Sequence, residues 1–124
     1  MPKISVLFPT YNTKEEHLRE AMESVLNQTF PDFEFIVLDD CSPDPNVEKV
    51  VKSYTDPRIR FYRNERNLGI SQTRNKLIDL ASGEYLAVMD HDDVSLPERF
   101  EKEAAYLDAH PDVGLVSCQA ERFP

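Results

Sequence analysis

Five short apolar runs, each separated from the next by a stretch with helical spacing, constrain the fold of this chain more than any other feature. Ile4-Ser5-Val6-Leu7-Phe8 is almost unbroken, rich in β-branched residues and closed by Pro9, which predicts a strand buried on both faces. Thr13 and Glu16 have capping-box spacing, and Leu18, Ala21, Met22, Val25 and Leu26 then form one apolar helical stripe ahead of Pro31. Phe33 to Leu38 is the second run, and Val47, Val50, Val51 and Tyr54 supply the next stripe. Ile59 to Tyr62 is the third. The segment Ser71 to Ala81 has helical composition, with Leu77, Ile78 and Ala81 apolar and Gly83 placed as a C-terminal stop. Tyr85 to Met89 is the fourth run. A helix starting near Ser95 to Pro97, with Phe100, Ala104 and Leu107 inward, leads to the fifth, Val113 to Cys118. Strands alternating with helices in this way predict an α/β, Rossmann-like, mainly parallel sheet with right-handed crossovers. With 124 residues the expected unit is a single domain spanning 1–124.

Charge narrows the function. There are 23 acidic and 14 basic side chains, a formal charge of −9, so phosphate backbones and anionic lipids are repelled and nucleic acid is not an expected partner. An acidic protein that handles an anionic ligand needs a cation between the two. Cys41 and Cys118 form no C-x-x-C pair, so neither zinc nor a disulfide framework is suggested. The first apolar run is too short for a signal peptide, and no stretch approaches the roughly 18 consecutive apolar residues of a membrane span. Among only three glycines there is neither G-x-G-x-x-G nor G-x-x-x-x-G-K-[ST].

Ligands of open parallel sheets bind beyond the carboxyl ends of the strands. Run one is followed by Thr10-Tyr11-Asn12, run two by Asp39-Asp40-Cys41-Ser42 and run four by Asp90-His91-Asp92-Asp93. Five carboxylates converging on one edge repel one another unless a cation or protons intervene. Oxygen donors of this kind suit Mg²⁺ or Mn²⁺, which commonly bridge to ligand phosphates. Plainer readings stand beside these. Asp39 and Asp40, with Ser42-Pro43-Asp44 after them, also have the chemistry of a turn and a helix cap. Capping alone needs just one of the three carboxylates at 90–93. Tyr11 fits a packed aromatic as readily as a stacking platform for a base. His91 lacks a second histidine at ligand spacing, and His17 and His110 fall on solvated helix positions. Arg74 is a surface charge unless its turn faces the same edge, where it could bond a base or phosphate.

Four segments together carry a family resemblance: residues 4–12, Leu38-Asp39-Asp40-Cys41-Ser42, Asn67-Leu68-Gly69-Ile70-Ser71-Gln72-Thr73-Arg74-Asn75, and Met89-Asp90-His91-Asp92-Asp93 with its D-x-D spacing. In this order they resemble the inverting glycosyltransferases of family 2, of GT-A type, and the resemblance spans essentially the whole chain. It implies a nucleotide-diphosphate-sugar donor, uridine being the family's commonest base, with Mn²⁺ or Mg²⁺ as cofactor. It further implies that Pro9, Thr10 and Tyr11 lie beside the base, that Asp39 bonds the base, that Asp92 reaches the ribose or phosphate, and that Asp93 is the metal ligand. Arg74 takes the place of the family's basic contact.

Family members run to about twice this length within ordinary domain sizes, so the acceptor-binding half and the general base are expected beyond Pro124. The chain is then a donor-binding part, inactive alone. The full protein would act in cell-wall or polysaccharide synthesis on a carbohydrate or lipid-linked acceptor, in the cytoplasm and peripheral to the inner face of the membrane. A receiver-like signalling module is the rival with a similar sheet, but Arg63-Asn64-Glu65-Arg66 after run three offers no phosphoacceptor aspartate. A non-catalytic interaction module, homodimerising through exposed apolar surface, is the other.

Overall fold

The computed structural model describes residues 2–89 and 94–110. Its elements run β1 (Ile4–Thr10), α1 (Glu15–Leu26), β2 (Phe33–Asp39), α2 (Asn46–Lys52), β3 (Ile59–Arg63), α3 (Ile70–Leu80), β4 (Tyr85–Val88) and α4 (Arg99–Ala109). The four strands form one parallel sheet in the order β3-β2-β1-β4. The expected α/β architecture is therefore present. The fifth run, Val113 to Cys118, lies outside the described residues.

Strand parity builds two unlike faces. Ile4, Val6 and Phe8 of β1, Phe33, Phe35 and Val37 of β2, and Ala87 of β4 point to one side, where they pack with α1, α2 and α4 into the large core. Phe8 and Phe35 meet edge to face at 5.5 Å between ring centroids, the arrangement their quadrupoles favour. On the other side Leu7, Ile36 and Leu38 meet Leu77 of α3 in a much smaller cluster. The chain moves from β1 to β3 with helices on the first face, then returns past β1 to β4 with α3 on the second. Reversing direction while changing face keeps the crossovers right-handed.

The thinner face uses polar chemistry where apolar contacts run out. Glu34, buried on β2, accepts from the Ser5 hydroxyl of β1 at 2.5 Å, from the Ser82 N–H at 2.7 Å and hydroxyl at 2.8 Å, and from Arg60 of β3 at 2.7 Å. Burial opposes its charge, but the Ser5 hydroxyl, the Ser82 donors and Arg60 outweigh that and hold its carboxyl at about 2. Gly83 donates its N–H to the Ser5 hydroxyl at 2.7 Å.

Several local expectations change. Pro9 does not close β1, which continues to Thr10 against Asp39 of β2. It ends only the β1–β4 ladder, which stops at Leu7 and Val88, because proline has no N–H to offer β4. The residue before α1 is Lys14, which makes no side-chain cap, and the Thr13 hydroxyl pairs with that of Thr10 at 2.7 Å. Gly83 is not a helix stop, since α3 already ends before it; a Cβ there would lie 2.7 Å from the Ser5 nitrogen. Of the apolar residues noted on α3, Leu77 is buried and Ile78 is exposed. No helix among the described residues is long and apolar enough to cross a membrane.

Candidate functional site

Because all four strands are parallel, their carboxyl ends share one rim, and the strand order reverses between β1 and β4. Loops diverge at such a switch point and leave a crevice. The tail of β1, Thr10-Tyr11-Asn12, and the carboxyl end of β4 lie on its two sides.

The tail of β1 is rigidly tied. Thr10 is buried at the last register position, opposite Asp39. Tyr11 follows, 45 % exposed at the rim, a position available to a flat ligand rather than committed to the core. Asn12 has φ of 53°, a left-handed conformation that asparagine tolerates better than most residues. This turn directs the Asn12 N–H to the Ser42 hydroxyl oxygen at 2.7 Å.

Ser42 links that tail to the end of β2. It donates its hydroxyl to one oxygen of Asp39 and its N–H, at 3.2 Å, to the other. Asp39 is 1 % exposed, and the Arg63 guanidinium stands 3.9 Å away while donating to the Ser42 carbonyl at 3.0 Å. Cys41, at φ of 61°, makes the reversal that brings Ser42 back.

Asp40 faces the opposite way and acts on α3. One oxygen accepts from the Leu68 N–H at 2.8 Å and from Asn64 Nδ2 at 2.9 Å; the other accepts from the Gly69 N–H at 3.0 Å. Burial raises the cost of its charge, yet the Leu68 amide, Asn64 and the Gly69 amide more than compensate, so its carboxyl sits below the usual range. The negative charge also lies where the amino end of a helix favours it. Gly69 has φ of 84°, and no side chain of its own turn caps α3, so Asp40 supplies the missing acceptor from another strand. Asn64 extends the link to the Thr73 hydroxyl at 3.2 Å and receives Lys76 at 2.9 Å.

Of the five carboxylates expected at this edge, the two described, Asp39 and Asp40, point to different partners and accept hydrogen bonds from them. Among the described residues no three or more His, Cys, Asp or Glu side chains form a metal-sized cluster. Asp90, His91, Asp92 and Asp93 lie outside the described residues. Of the other predicted site residues, Pro9 and Thr10 are buried beneath the rim, Tyr11 is at its surface, Asp39 is buried beside Ser42, and Arg74 is exposed on α3 next to the anchored Thr73. Asp40, Ser42 and Asn64 had no separate role in the reading of the sequence. The contacts that tie them to other segments span 24 to 30 residues, beyond the reach of any local pattern, although the adjacency of Asp39 and Asp40 could have been read as a division of labour, since neighbouring side chains on a strand face opposite ways.

With this geometry in hand, comparison with known proteins is informative. The sequence profile described as "Glycosyl transferase family 2" matches residues 5–123. The chain is 43 % identical over 117 residues to the uncharacterized glycosyltransferase MJ1057 of Methanocaldococcus jannaschii, covering 93 % of this chain and 40 % of that protein. It is 39 % identical over 99 residues to the putative colanic acid biosynthesis glycosyl transferase WcaA of Escherichia coli, covering 79 % of this chain and 35 % of that one. The crystal structure of Staphylococcus aureus TarS 1-349 in complex with UDP superposes with a TM-score of 0.79 at 35 % identity, over 88 % of this chain and 33 % of the other. The chain thus spans well under half the length of these relatives. Its α/β sheet is that of the GT-A glycosyltransferases, and with a profile match across nearly its whole length, this chain belongs to glycosyl transferase family 2.

Proposed function

We propose that the rim at the carboxyl ends of β1, β2 and β4 binds the nucleoside diphosphate of a nucleotide-sugar, of the UDP class. In the whole protein the sugar passes, with inversion, to a hydroxyl of a carbohydrate or lipid-linked acceptor. One observation carries this reading: an exposed aromatic, Tyr11, stands at the switch point between β1 and β4, and in sequence β4 is followed by the acidic run Asp90-His91-Asp92-Asp93. The similarity to TarS, solved with UDP, supports the choice of base.

In this arrangement Tyr11 stacks on the base, while Pro9 and Thr10 form the floor beneath it. Asp39 bonds a base N–H, because a carboxylate has about four lone-pair sites and Ser42 uses only part of that capacity. Arg74 approaches the base or diphosphate from α3. Metal ligation falls to Asp93, with Asp92 toward the ribose or phosphate, since Asp39 is given to the base and Asp40 is held by the start of α3. Three hard carboxylates within four residues suit Mg²⁺ or Mn²⁺. Such an ion, when bound, offsets charge on the departing diphosphate. In this reading the residues of this chain bind the donor.

Calorimetry with UDP tests this. Heat of binding is expected with Mn²⁺ and a loss of about tenfold or more in affinity with chelator, and Asp93→Asn should mimic the chelator. Equal heats in both conditions would contradict the metal-bridged site.

A further inference from the structure

The Ser42 hydroxyl joins the two segments that carry the base contacts assigned above, Tyr11 on the tail of β1 and Asp39 at the end of β2. Ser42 is 1 % exposed. Its oxygen accepts from the Asn12 N–H at 2.7 Å, and its proton goes to one oxygen of Asp39. The ends of this chain of hydrogen bonds fix its direction: a backbone N–H only donates, an ionised carboxylate only accepts, and a hydroxyl does both. The Ser42 N–H reaches the second Asp39 oxygen at 3.2 Å, so one residue orients both oxygens of that carboxylate.

The same hydroxyl completes a bracket around Tyr11. On one side of that residue the Thr10 carbonyl accepts from the Asp40 N–H at 2.9 Å. On the other the Asn12 N–H reaches Ser42. Both contacts are made to residues 40–42, so the backbone that carries the Tyr11 ring is tied from both flanks to the turn after β2. Asn12 holds a φ of 53° at this point, a conformation uncommon outside glycine, and the Ser42 oxygen is what its N–H gains by adopting it. Ser42 is itself anchored. Cys41 turns the chain at φ of 61°, and Arg63 of β3 donates to the Ser42 carbonyl at 3.0 Å. An anchored hydroxyl can set the position of the two groups it bonds.

We infer that Ser42 is a positioning residue for the base: its hydroxyl holds Tyr11 and the Asp39 carboxylate in one fixed relation, so that a base stacked on the first presents its N–H to the second. This rests on the donor-binding reading above. Such preorganisation raises affinity without a ligand contact of its own, because binding no longer has to order the two groups. Ser42→Ala removes the hydroxyl and keeps the backbone N–H and carbonyl that meet Asp39 and Arg63. Ser42→Cys keeps a side chain of similar shape but exchanges the hydroxyl for a weak donor and weak acceptor.

The test is UDP affinity by calorimetry at saturating Mn²⁺, with melting temperatures measured on the same samples. Ser42→Ala should weaken UDP binding about tenfold, since two hydrogen bonds that order the site are lost. Ser42→Cys should fall between it and wild type, and keeps the inference testable if Ser42→Ala does not fold. Added to Tyr11→Ala or to Asp39→Asn, Ser42→Ala should cost only about threefold, because residues that act through one another are not additive. Glu34→Gln, toward the opposite end of the strands, should lower the melting temperature and leave UDP affinity unchanged, which separates lost stability from lost positioning. Ser42 variants that melt lower but keep the UDP affinity of wild type would overturn the inference alone, as would the full loss repeated in both double variants. Wild-type protein that gives no heat with UDP would overturn the donor-site reading and this inference with it.

Discussion

The two faces of the sheet are held by different physics. Beneath α1, α2 and α4, Phe8, Phe35, Leu18, Met22 and Phe100 are fully buried in one continuous apolar layer. Beneath α3 the apolar cluster is small, and Glu34 and Asp40 pin loops and helix ends to the strands. Leu86 and Val88 of β4 remain 46 % and 48 % exposed on that side. Apolar burial is non-directional and tolerates small shifts, whereas a buried carboxylate fixes its donors in position. The face that carries α3 to the rim is therefore the more precisely oriented and the less deeply stabilised.

Substitutions can break this contrast. Phe35→Ala removes a fully buried ring from the apolar face and should cost about 3–5 kcal/mol, measurable by denaturant unfolding; a much smaller value would mean that this face is not the main store of stability. Gly83→Ala comes next, because the new Cβ meets the Ser5 backbone at 2.7 Å and backbone must move, at a cost of about 1–3 kcal/mol. Gly69→Ala follows at about 1–2 kcal/mol: its positive φ is the whole penalty, since nothing lies within 4 Å of the added methyl. It should also weaken nucleotide binding by loosening the start of α3. Leu86→Ser is expected to stay within about 0.5 kcal/mol, and a larger loss would show that the exposed side of β4 is covered in solution.

Acidity separates the two faces in another way. Glu34 is held at about 2, below its ordinary 4.5, so its contribution to stability is complete above pH 4.5 and is lost as pH falls toward 2. Wild-type protein should lose stability across that window. Glu34→Gln should lie lower at neutral pH and show a flatter acid limb, as followed by thermal melts. An unchanged acid limb would remove Glu34 from the account.

What could be read from the sequence follows the same division. Strands β1 and β2 and the inward stripe of α1 were legible because parallel strands buried on both faces leave near-continuous apolar runs, and a helix against a core repeats its apolar residues. The rim was legible too, since the end of each run marks where a parallel sheet places ligands. What stayed hidden was side-chain chemistry between distant segments. Thr13 has the spacing of a cap, and nothing local reveals that its hydroxyl also meets that of Thr10. Gly83 has the position of a helix stop but exists for its close approach to Ser5. Gln28 falls in what reads as a turn after α1, and nothing local reveals that it caps α4, 72 residues onward. Asp39 and Asp40 look like two equivalent acids in sequence, and only strand parity shows that they serve different neighbours.

The central claim is that the nucleotide sits at the switch point, between the tail of β1 and the segment after β4. Mapping backbone amide shifts by NMR as UDP and Mg²⁺ are added tests it most directly. The account predicts that the perturbed amides cluster at residues 10–12, 39–42 and 64–74 and at 90–93. Perturbations gathered instead around Ser5, Glu34 and Ser82, at the opposite end of the strands, would contradict it.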